Sequence, residues 1–438
     1  MADANFKTPN APASIYRDKE GMGVWEHRGK VAVVGIGHSP AARRWDERLE
    51  TSLGAYSLIA ARKALDDAGI SKDQVDGVVA VPTGLGAPWG GAYFEPPYDS
   101  EDGLSGVSAD WLVKNMGLNN AQFTIHGPGC ISNAMCVAAQ SVAEGKAHTV
   151  IVLRATGNMP GRYGQYGAAA EDVAKGPQQW TNPWGWQLIP QIAFGFDQYC
   201  RKYGSSHDAM ANFVVTARQN GLNFPEGYYA QNRPEALTAE DYLASRWICK
   251  PMNINDCDMP IQAAAAYIMT TAERAKDMNQ KPVYVLNHSS NIPKVRSMVQ
   301  TLDETEASAA SIAKKALEGA GITSSELDVF NPYDGFTLFT QYYVEAFQWH
   351  GVKKGEAHAF YQGDISAKGP HPLMPSGGNN GSGRTRYWHW TDTIQQLQGR
   401  AGARQVTIKN GKPETGIAGG PTPGPARSDW MVFGTSPD

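Results

Sequence analysis

Lys63–Ile70 reads KALDDAGI, and the same octapeptide returns with two changes as Lys315–Ile322, KALEGAGI. The match extends further along the chain, because Asp76 and Asp328 stand at the same distance after each copy. Apolar residues at helical spacing that stop at a glycine predict a helix end, and a strand-like stretch follows each copy. A repeated helix–glycine–strand unit predicts a duplicated α/β fold. The alternative is that Ala-Leu-x-x-Ala-Gly is simply a common way for a helix to end.

The segments around the first copy alternate between strand and helix patterns. Val31–Gly37 and Val75–Val81 are short apolar runs typical of buried strands, and Leu53–Ala68 has helical spacing. Cys130–Glu144 is small and apolar on most faces, which predicts a buried helix, and Thr149–Leu153 predicts another strand. Strand–helix–strand alternation favours a parallel sheet with helices on both faces.

The sequence also predicts a domain organisation. Residues 1–30 are polar and predict an arm that lies on a partner or on the domain surface. Residues 31–280 form the first half and 281–438 the second. Residues 157–247 begin as an aromatic, Gly/Pro-rich stretch, which is typical of a lid or binding loop inserted in the first half. Gly84–Gly106 is predicted to be a loop.

Composition excludes several classes of protein. The 438 residues carry a formal net charge of −4, so no basic surface for nucleic acid is expected. No apolar run has the length of a membrane span or of a signal peptide, which predicts a cytoplasmic protein. Five cysteines without zinc-ligand spacing indicate a reducing compartment and no structural metal: Cys130, Cys136, Cys200, Cys249 and Cys257.

Several motifs together resemble the thiolase superfamily across residues 30–435. They are a Gly–Cys turn before a small-residue helix, the Pro375–Gly378 stretch near the C-terminus, and the duplicated halves. Thr238–Arg246, Asp256–Ala275 and Pro332–Phe336 are similar to the sterol-carrier and lipid-transfer branch. The resemblance implies a thiolase-like duplicated α/β/α layered fold with a loop or lid insertion in the N-terminal half. It also implies acyl-CoA substrates.

A thiolase uses a nucleophilic cysteine at a helix N-terminus, where the helix dipole favours the thiolate. Cys130 stands in Gly127–Asn133 (GPGCISN), directly before the predicted buried helix. Counting back from Gly145, however, the family's cysteine falls nearer Pro128. Cys130 is therefore either the nucleophile or a packed helix residue, since free cysteine is commonly buried and inert. Cys136, within the helix, is predicted to be structural.

The family's catalytic histidine follows a glycine pair, and here Gly377 and Gly378 match that pair. Arg384 occupies the histidine's slot six residues later. Arginine cannot act as a base, but it can bind a carboxylate or a CoA phosphate, or pair on the surface. His371, in His-Pro-Leu, resembles the family's histidine motif but precedes the glycines. It is kept as a second candidate base.

The two remaining family elements are also altered. The stretch that carries the proton-shuttling cysteine reads Gly416–Gly420 (GIAGG) here, with glycine in the cysteine's place. The Asn-x-x-Phe motif, which holds a water in an oxyanion hole, reads Tyr333–Phe336 (YDGF). A tyrosine therefore stands where asparagine or histidine is usual.

This pattern of replacements resembles the steroid side-chain-cleaving aldolases, thiolase relatives that use tyrosines for a retro-aldol reaction. The resemblance implies that Tyr333 carries a proton, although a core tyrosine bonded to the backbone is the alternative. The amides of Gly377, Gly378 and Asn379 are then expected to stabilise the thioester enolate. Tyr387 and His389 are further candidates, or they wall a pocket for a bulky acyl group.

Three functions remain open at this point. The first is retro-aldol cleavage of a bulky β-hydroxyacyl-CoA. The second is a thiolase-type acyltransferase that cleaves an aromatic or branched 3-oxoacyl-CoA with free CoA through Cys130. The third is a non-catalytic acyl-CoA-binding or scaffolding protein. No tightly bound cofactor is expected, and CoA enters as part of the substrate or as co-substrate. The resemblance implies a homodimer and a small partner protein with a zinc ribbon and an oligonucleotide-binding (OB) barrel.

Overall fold

The computed structural model describes residues 17–81, 103–104, 106–126, 130–157, 188–291, 301–408, 411–420 and 428–438. Most of the predicted loop at Gly84–Gly106 and the first part of the predicted insertion lie outside these ranges. The strands are β1 (Val31–His38), β2 (Gly77–Val81), β3 (Phe123–His126), β4 (Thr149–Thr156), β5 (Trp247–Cys249), β6 (Met252–Asn253), β7 (Ala263–Thr271), β8 (Val283–Asn291), β9 (Val329–Asn331), β10 (Thr415–Gly420) and β11 (Ser428–Gly434).

The α-helices of the described ranges are α1 (Leu53–Ala68), α2 (Ala109–Met116), α3 (Ile131–Ala143), α4 (Leu188–Tyr203), α5 (Ala211–Leu222), α6 (Tyr228–Asn232), α7 (Ala239–Leu243), α8 (Ala272–Ala275), α9 (Leu302–Ala320), α10 (Thr340–Ala346), α11 (Ala357–Phe360), α12 (Gly378–Ser382) and α13 (Trp388–Gln398). None of these helices is both long and apolar enough to cross a membrane.

One mixed sheet contains nine strands in the order β3–β2–β4–β7–β1–β8–β11–β10–β9, and β5 pairs with β6 separately. The centre of the sheet is the antiparallel contact between β1 and β8. Moving outward, each side adds an antiparallel strand (β7 or β11), a second antiparallel strand (β4 or β10), and then a parallel strand (β2 or β9). Apart from β3, which has no counterpart in the described chain, the order on one side mirrors the order on the other, so the predicted duplication is confirmed. The predicted parallel sheet is wrong, because the strands at the centre of the sheet pair antiparallel.

The repeated octapeptides end α1 and α9, which occupy the same position in the two halves. Each helix stops at a left-handed glycine, Gly69 at φ 71° and Gly321 at φ 69°. The aspartate that follows each copy accepts the first backbone N–H of an equivalent strand in its own half. Asp76 accepts the backbone N–H of Thr149 at 2.7 Å, and Asp328 accepts that of Thr415 at 3.1 Å. Thr149 and Thr415 are the first residues of β4 and β10.

The sheet separates two apolar layers, because successive side chains of a strand face opposite sides. In β1, Ala32 and Val34 join the layer that contains α1 and α9. Val31 and Val33 join the layer that contains α3 and α13. Every residue of α13 is buried, and so are the residues of α3 from Ile131 to Val142.

The N-terminal segment is integrated into this packing from Arg17 onward. Trp25 is 1% exposed, and its indole N–H donates to Gln140 Oε1 on α3 at 3.2 Å. Its backbone N–H donates to Gly319 O on α9 at 2.8 Å. Residues 17–30 thus connect helices of both halves, and residues 1–16 lie outside the described ranges.

The described part of the predicted insertion, residues 188–247, is largely helical and packs against the second half. Helices α5 and α12 approach so closely that a Cβ on Gly221 would lie 2.0 Å from Gly381 O. A Cβ on Gly381 would lie 2.0 Å from Ala217 O. Glycine is required at both positions because any side chain would collide with the facing backbone.

Candidate active site

Several candidate residues lie at the carboxyl ends of the parallel strands. Tyr333 follows β9 by two residues, Gly420 ends β10, and Cys130 precedes α3 in the connection from β3. Ser132, in the first turn of α3, donates from Oγ to Gly420 O at 3.2 Å. The carboxyl edge of the first half therefore contacts that of the second, as expected for a ligand site in an α/β sheet.

Tyr333 is buried at this junction, with 5% of its surface exposed. Two glycines make room for it. A Cβ on Gly335 would lie 1.9 Å from Tyr333 Oη, and a Cβ on Gly420 would lie 2.5 Å from Tyr333 Cβ. The Tyr333 ring lies 6.1 Å from the ring of His389, centroid to centroid. Glycine in the GIAGG and YDGF motifs thus has a physical reason, which is to accommodate this phenol.

The Asp334 carboxylate links the segments that surround Tyr333. Its carboxylate accepts the backbone N–H of Asn379 at 2.8 Å and of Asn380 at 3.0 Å, at the start of α12. It also binds Nε2 of His389 at 2.9 Å. A Cβ on Gly378 would lie 2.4 Å from Asp334 Oδ2, so glycine is needed for the carboxylate to reach α12. The carboxylate is fully buried.

The glycine turn is consequently a structural element. A Cβ on Gly377 would lie 2.2 Å from Ala217 O, and the Gly378 N–H lies 3.3 Å from Ser376 Oγ. The Asn379 N–H is engaged by Asp334, which leaves it unavailable to a substrate oxygen. The side chain of Asn379 instead supports the next turn, where its Oδ1 accepts the N–H groups of Thr385 and Arg386.

Three arginines surround Tyr333 and Cys130. Arg154 is near the end of β4, and its Nε donates to Thr385 O at 2.9 Å. Arg384 is 5% exposed, and its backbone N–H donates to Met259 O at 2.7 Å. Arg386 is partly exposed, and its Cζ lies 6.0 Å from the centroid of the Tyr333 ring. Arg384 therefore lies in the candidate site rather than on the surface.

Burial and charge set the ionisation of these groups. Burial raises the pKa of Tyr333 above its ordinary value, and the charges of Arg386 and Arg384 oppose this only in part. Burial acts to lower the pKa of Arg386, but Tyr333 and Cys130 raise it above its usual value. Burial, assisted by Arg386, lowers the pKa of Arg154 to about 10. At neutral pH the phenol of Tyr333 is protonated, and the guanidinium groups of Arg154 and Arg386 are charged.

Cys130 is the N-cap residue of α3, with extended backbone, and is 5% exposed. Its Sγ lies 2.5 Å from Ser132 Oγ. Ser132 binds Gly420, which packs on Tyr333, so Cys130 and Tyr333 belong to the same site. Position at a helix N-terminus suits a thiolate. Cys136 is fully buried inside α3, with Sγ 3.8 Å from Trp430 O.

The two other predicted residues differ in position: Tyr387 lies beside Arg154, whereas His371 lies away from the site. Tyr387 is the N-cap residue of α13, fully buried, with its ring 5.6 Å from that of His38. Burial raises the pKa of Tyr387 well above its ordinary value. His371 is exposed, and its described ring contacts are His350 at 4.7 Å and Phe360 at 5.9 Å. The structure therefore does not bring His371 to the Tyr333 site.

Sequence reasoning missed four residues of this site. Arg154 had a detectable signal, since it is a charged residue inside the apolar strand TVIVLRAT. Asp334 stands next to Tyr333 in the YDGF motif, and Arg386 lies two residues beyond Arg384. Asp258, within the Asp256–Ala275 stretch, is 2% exposed, and its charge raises the pKa of both Tyr333 and Arg386.

Several known proteins are similar to this chain in sequence. The thiolase C-terminal domain-like family matches residues 291–419. The 17-hydroxy-3-oxo-4-pregnene-20-carboxyl-CoA lyase of Mycobacterium tuberculosis is 27% identical over 403 residues, covering 89% of this chain and 94% of the lyase. The steroid side-chain-cleaving aldolase of Thermomonospora curvata is 25% identical over 369 residues, covering 81% and 86% of the two proteins.

Solved structures show the same fold. An Ltp2–ChsH2(DUF35) aldolase superposes with a TM-score of 0.73 at 21% identity, covering 93% of this chain and 98% of that chain. A monomeric SCP2-thiolase-like protein from Mycobacterium smegmatis superposes with a TM-score of 0.64 at 14% identity, covering 94% and 78%. The mirrored sheet, the two buried helices and these matches together make the chain similar to proteins of the thiolase superfamily.

Proposed function

We propose that this chain is a retro-aldol lyase that cleaves a β-hydroxyacyl-CoA with a bulky acyl group. The observation that carries the proposal is the placement of Tyr333, a buried phenol beside guanidinium groups where the strands of both halves end. Two relatives are named as a carboxyl-CoA lyase and as a steroid side-chain-cleaving aldolase, and these names support the proposal. No cysteine follows Cys257 in the sequence, so a second, proton-shuttling cysteine near the C-terminus is absent.

The proposed reaction is balanced without a co-reactant. The β-hydroxyl loses its proton, the Cα–Cβ bond breaks, and the electron pair moves onto the thioester carbonyl as an enolate. The former hydroxyl carbon leaves as a ketone or aldehyde. Protonation of the enolate at Cα then gives a shortened acyl-CoA. Neither free CoA nor water is consumed.

Tyr333 is proposed to supply the proton to the enolate. Its raised pKa means that the phenol starts each turnover protonated, which suits a donor and not a base. Asp258 is proposed to accept the β-hydroxyl proton, because it is a buried carboxylate close enough to raise the pKa of both Tyr333 and Arg386. Return of this proton from Asp258 to the Tyr333 phenolate restores both groups for the next turnover. The cationic arginines favour the negative charge that develops on the thioester oxygen.

Two assembly states are part of the proposal. A homodimer is supported by the edges of the sheet, because β3 and β9 each have a strand neighbour on one side only within the described chain. A small zinc-ribbon and OB-type partner is supported by the Ltp2–ChsH2(DUF35) relative. A mass near twice 47.3 kDa in light scattering supports the dimer, and a stable monomer argues against it.

Thiolase-type acyl transfer is the second candidate, and one observation favours it. Cys130 caps the N-terminus of α3 next to the same site, as a nucleophile would. Acyl transfer is the weaker candidate, because its candidate base, His371, is not near Cys130. The described ring contacts of His371 are with His350 and Phe360.

The test compares two substrates of the same acyl skeleton, a β-hydroxyacyl-CoA and a 3-oxoacyl-CoA, each with and without free CoA. We expect equimolar carbonyl product and shortened acyl-CoA from the hydroxy compound without added CoA. Cleavage of only the 3-oxo compound, with one CoA consumed per turnover, would establish the thiolase alternative. Tight binding without any cleavage would favour the non-catalytic role.

A further inference from the structure

Arg386 has an unusual backbone conformation. Its φ is +69°, in the left-handed region that side chains other than glycine rarely adopt. Holding a non-glycine residue there is unfavourable, and such strain persists only where surrounding contacts fix the conformation. A glycine would adopt it without this cost. The arginine side chain at this position therefore comes with a backbone cost, and its neighbours decide what it contributes in return.

The turn that carries Arg386 is held from two sides. Asn379 Oδ1 accepts two backbone N–H groups, from Thr385 at 3.1 Å and from Arg386 at 2.8 Å. Arg154 Nε donates to Thr385 O at 2.9 Å. Only the orientation of the Asn379 amide with its oxygen toward the turn satisfies both N–H groups, because an NH2 group cannot accept them.

This orientation has a cost at Asn379 itself. Within the described ranges, Asn379 Nδ2 is buried and has no hydrogen-bond partner. A buried donor without a partner loses its hydrogen bonds to water and destabilises the folded state. Asn379 therefore leaves one of its own groups unsatisfied while it fixes the turn. The Asp334 carboxylate in turn fixes Asn379 by accepting the backbone N–H of Asn379.

Exposure separates Arg386 from the two other arginines of the site. Arg154 and Arg384 are 4% and 5% exposed, whereas Arg386 is partly exposed. Arg386 also lies close enough to both Tyr333 and Cys130 for each to raise its pKa. Arg386 is thus the most exposed residue of the three and neighbours both Tyr333 and Cys130.

We propose that Arg386 is the catalytic residue that stabilises the thioester enolate oxygen, and that Asn379 is its positioning residue. This inference rests on the proposed lyase function and assigns a role within the same site. Charge develops on the oxygen only as the Cα–Cβ bond breaks. A preorganised guanidinium therefore lowers the transition state more than it strengthens substrate binding.

The decisive variant is Arg386→Gly, because strain and catalysis predict opposite outcomes. Relief of the left-handed strain should leave the melting temperature unchanged or higher. Loss of the guanidinium should lower kcat by about 10²–10³-fold, with KM changed by about threefold or less. Gln348→Gly is the matched control: it is also left-handed, at φ 49°, and exposed. It should gain stability without loss of activity.

Two further measurements separate a catalytic role from a structural one. Free guanidinium ion should restore part of the kcat of Arg386→Gly, and tetramethylammonium should not. Asn379→Ala should lower kcat in the same way as Arg386→Gly, whereas Asn379→Asp, which keeps an acceptor for both N–H groups, should recover most of it. A destabilised Arg386→Gly protein whose activity falls only in proportion to folded protein would overturn the proposal.

The assay of the wild-type chain comes first and distinguishes the two levels. Absence of retro-aldol cleavage by the wild-type protein rejects the lyase function and this inference together. Cleavage by the wild type that survives at more than one tenth in Arg386→Gly rejects the role of Arg386 alone.

Discussion

His389 Nε2 lies 2.9 Å from Asp334 Oδ1, and both residues are buried almost completely. This contact joins the turn after β9 to the first turn of α13. Because Asp334 also accepts two N–H groups of α12, one carboxylate connects three segments around Tyr333. The position of the phenol therefore depends on a side chain that does not itself need to touch substrate.

The first prediction concerns that carboxylate. Asp334→Asn has the same shape but replaces one acceptor oxygen by an NH2 group that faces N–H donors. We expect the free energy of unfolding to fall by about 3 kcal/mol, because a buried partner is removed from a hydrogen-bonded network. Urea denaturation measures it. Asp364→Asn is the control, since Asp364 is exposed and binds only its neighbour Ser366 in the contacts described. Equal stability losses in both variants would contradict the assignment.

The second prediction concerns Tyr333. Tyr333→Phe removes one hydroxyl and keeps the ring that packs on Gly420. General acid catalysis contributes about 10²–10⁴-fold, so we expect turnover to fall by at least about 10²-fold while the melting temperature is retained. Tyr361→Phe is the matched control. Tyr361 is fully buried, and its hydroxyl has no hydrogen-bond partner within the described chain. Full activity in Tyr333→Phe would remove Tyr333 from the mechanism.

The third prediction concerns Cys130. No acyl-enzyme forms in a retro-aldol cleavage, so Cys130→Ala should keep at least about one tenth of the activity, a loss below the usual effect of a catalytic group. Intact-protein mass spectrometry after mixing with acyl-CoA is the direct measurement. Finding the acyl group on Cys130, together with loss of turnover in Cys130→Ala, would establish nucleophilic catalysis.

The fourth prediction concerns pH and His38. Burial lowers the pKa of His38 to about 4, with Glu226 opposing and Lys63 and Arg400 assisting. Because the folded pKa is below the unfolded value of about 6.5, the unfolded chain binds a proton first. The stabilisation is complete above about pH 6.5 and is lost as pH falls toward 4.

His38→Gln removes this titration. The wild-type protein should therefore lose about 3 kcal/mol more stability than the variant between these pH values. Buried His358, whose pKa burial also lowers to about 4, is present in both proteins, so its contribution cancels in the difference. Parallel pH profiles of unfolding free energy for the two proteins would show that His38 does not carry this dependence.

The sequence predicted the architecture because the repeat and the strand patterns are local. The octapeptides ending α1 and α9, and Asp76 with Asp328, were found by spacing alone and lie in equivalent places. Cys130 and Tyr333 were found through motifs. Their meeting through Ser132 and Gly420 was not visible, because it joins residues almost three hundred positions apart.

Other features of the site escaped sequence reasoning for physical reasons. The amides of the glycine turn were expected to face the substrate. Instead, Gly377 packs against the backbone of α5, and the Asn379 N–H donates to the Asp334 carboxylate. The left-handed conformation of Arg386 is set by Asn379 and not by a local turn motif. His371 matched a short motif, yet nothing in a tripeptide determines whether it faces solvent.

Cys130 and Tyr387 are the N-cap residues of α3 and α13, the two buried helices. The two helix starts occupy equivalent places in the two halves, so each can change without the other. One start now bears a thiol that contacts Ser132 next to the Tyr333 site, and the other bears a phenol packed on His38. The two halves thus keep the same strand arrangement while they present different side chains at corresponding helix starts.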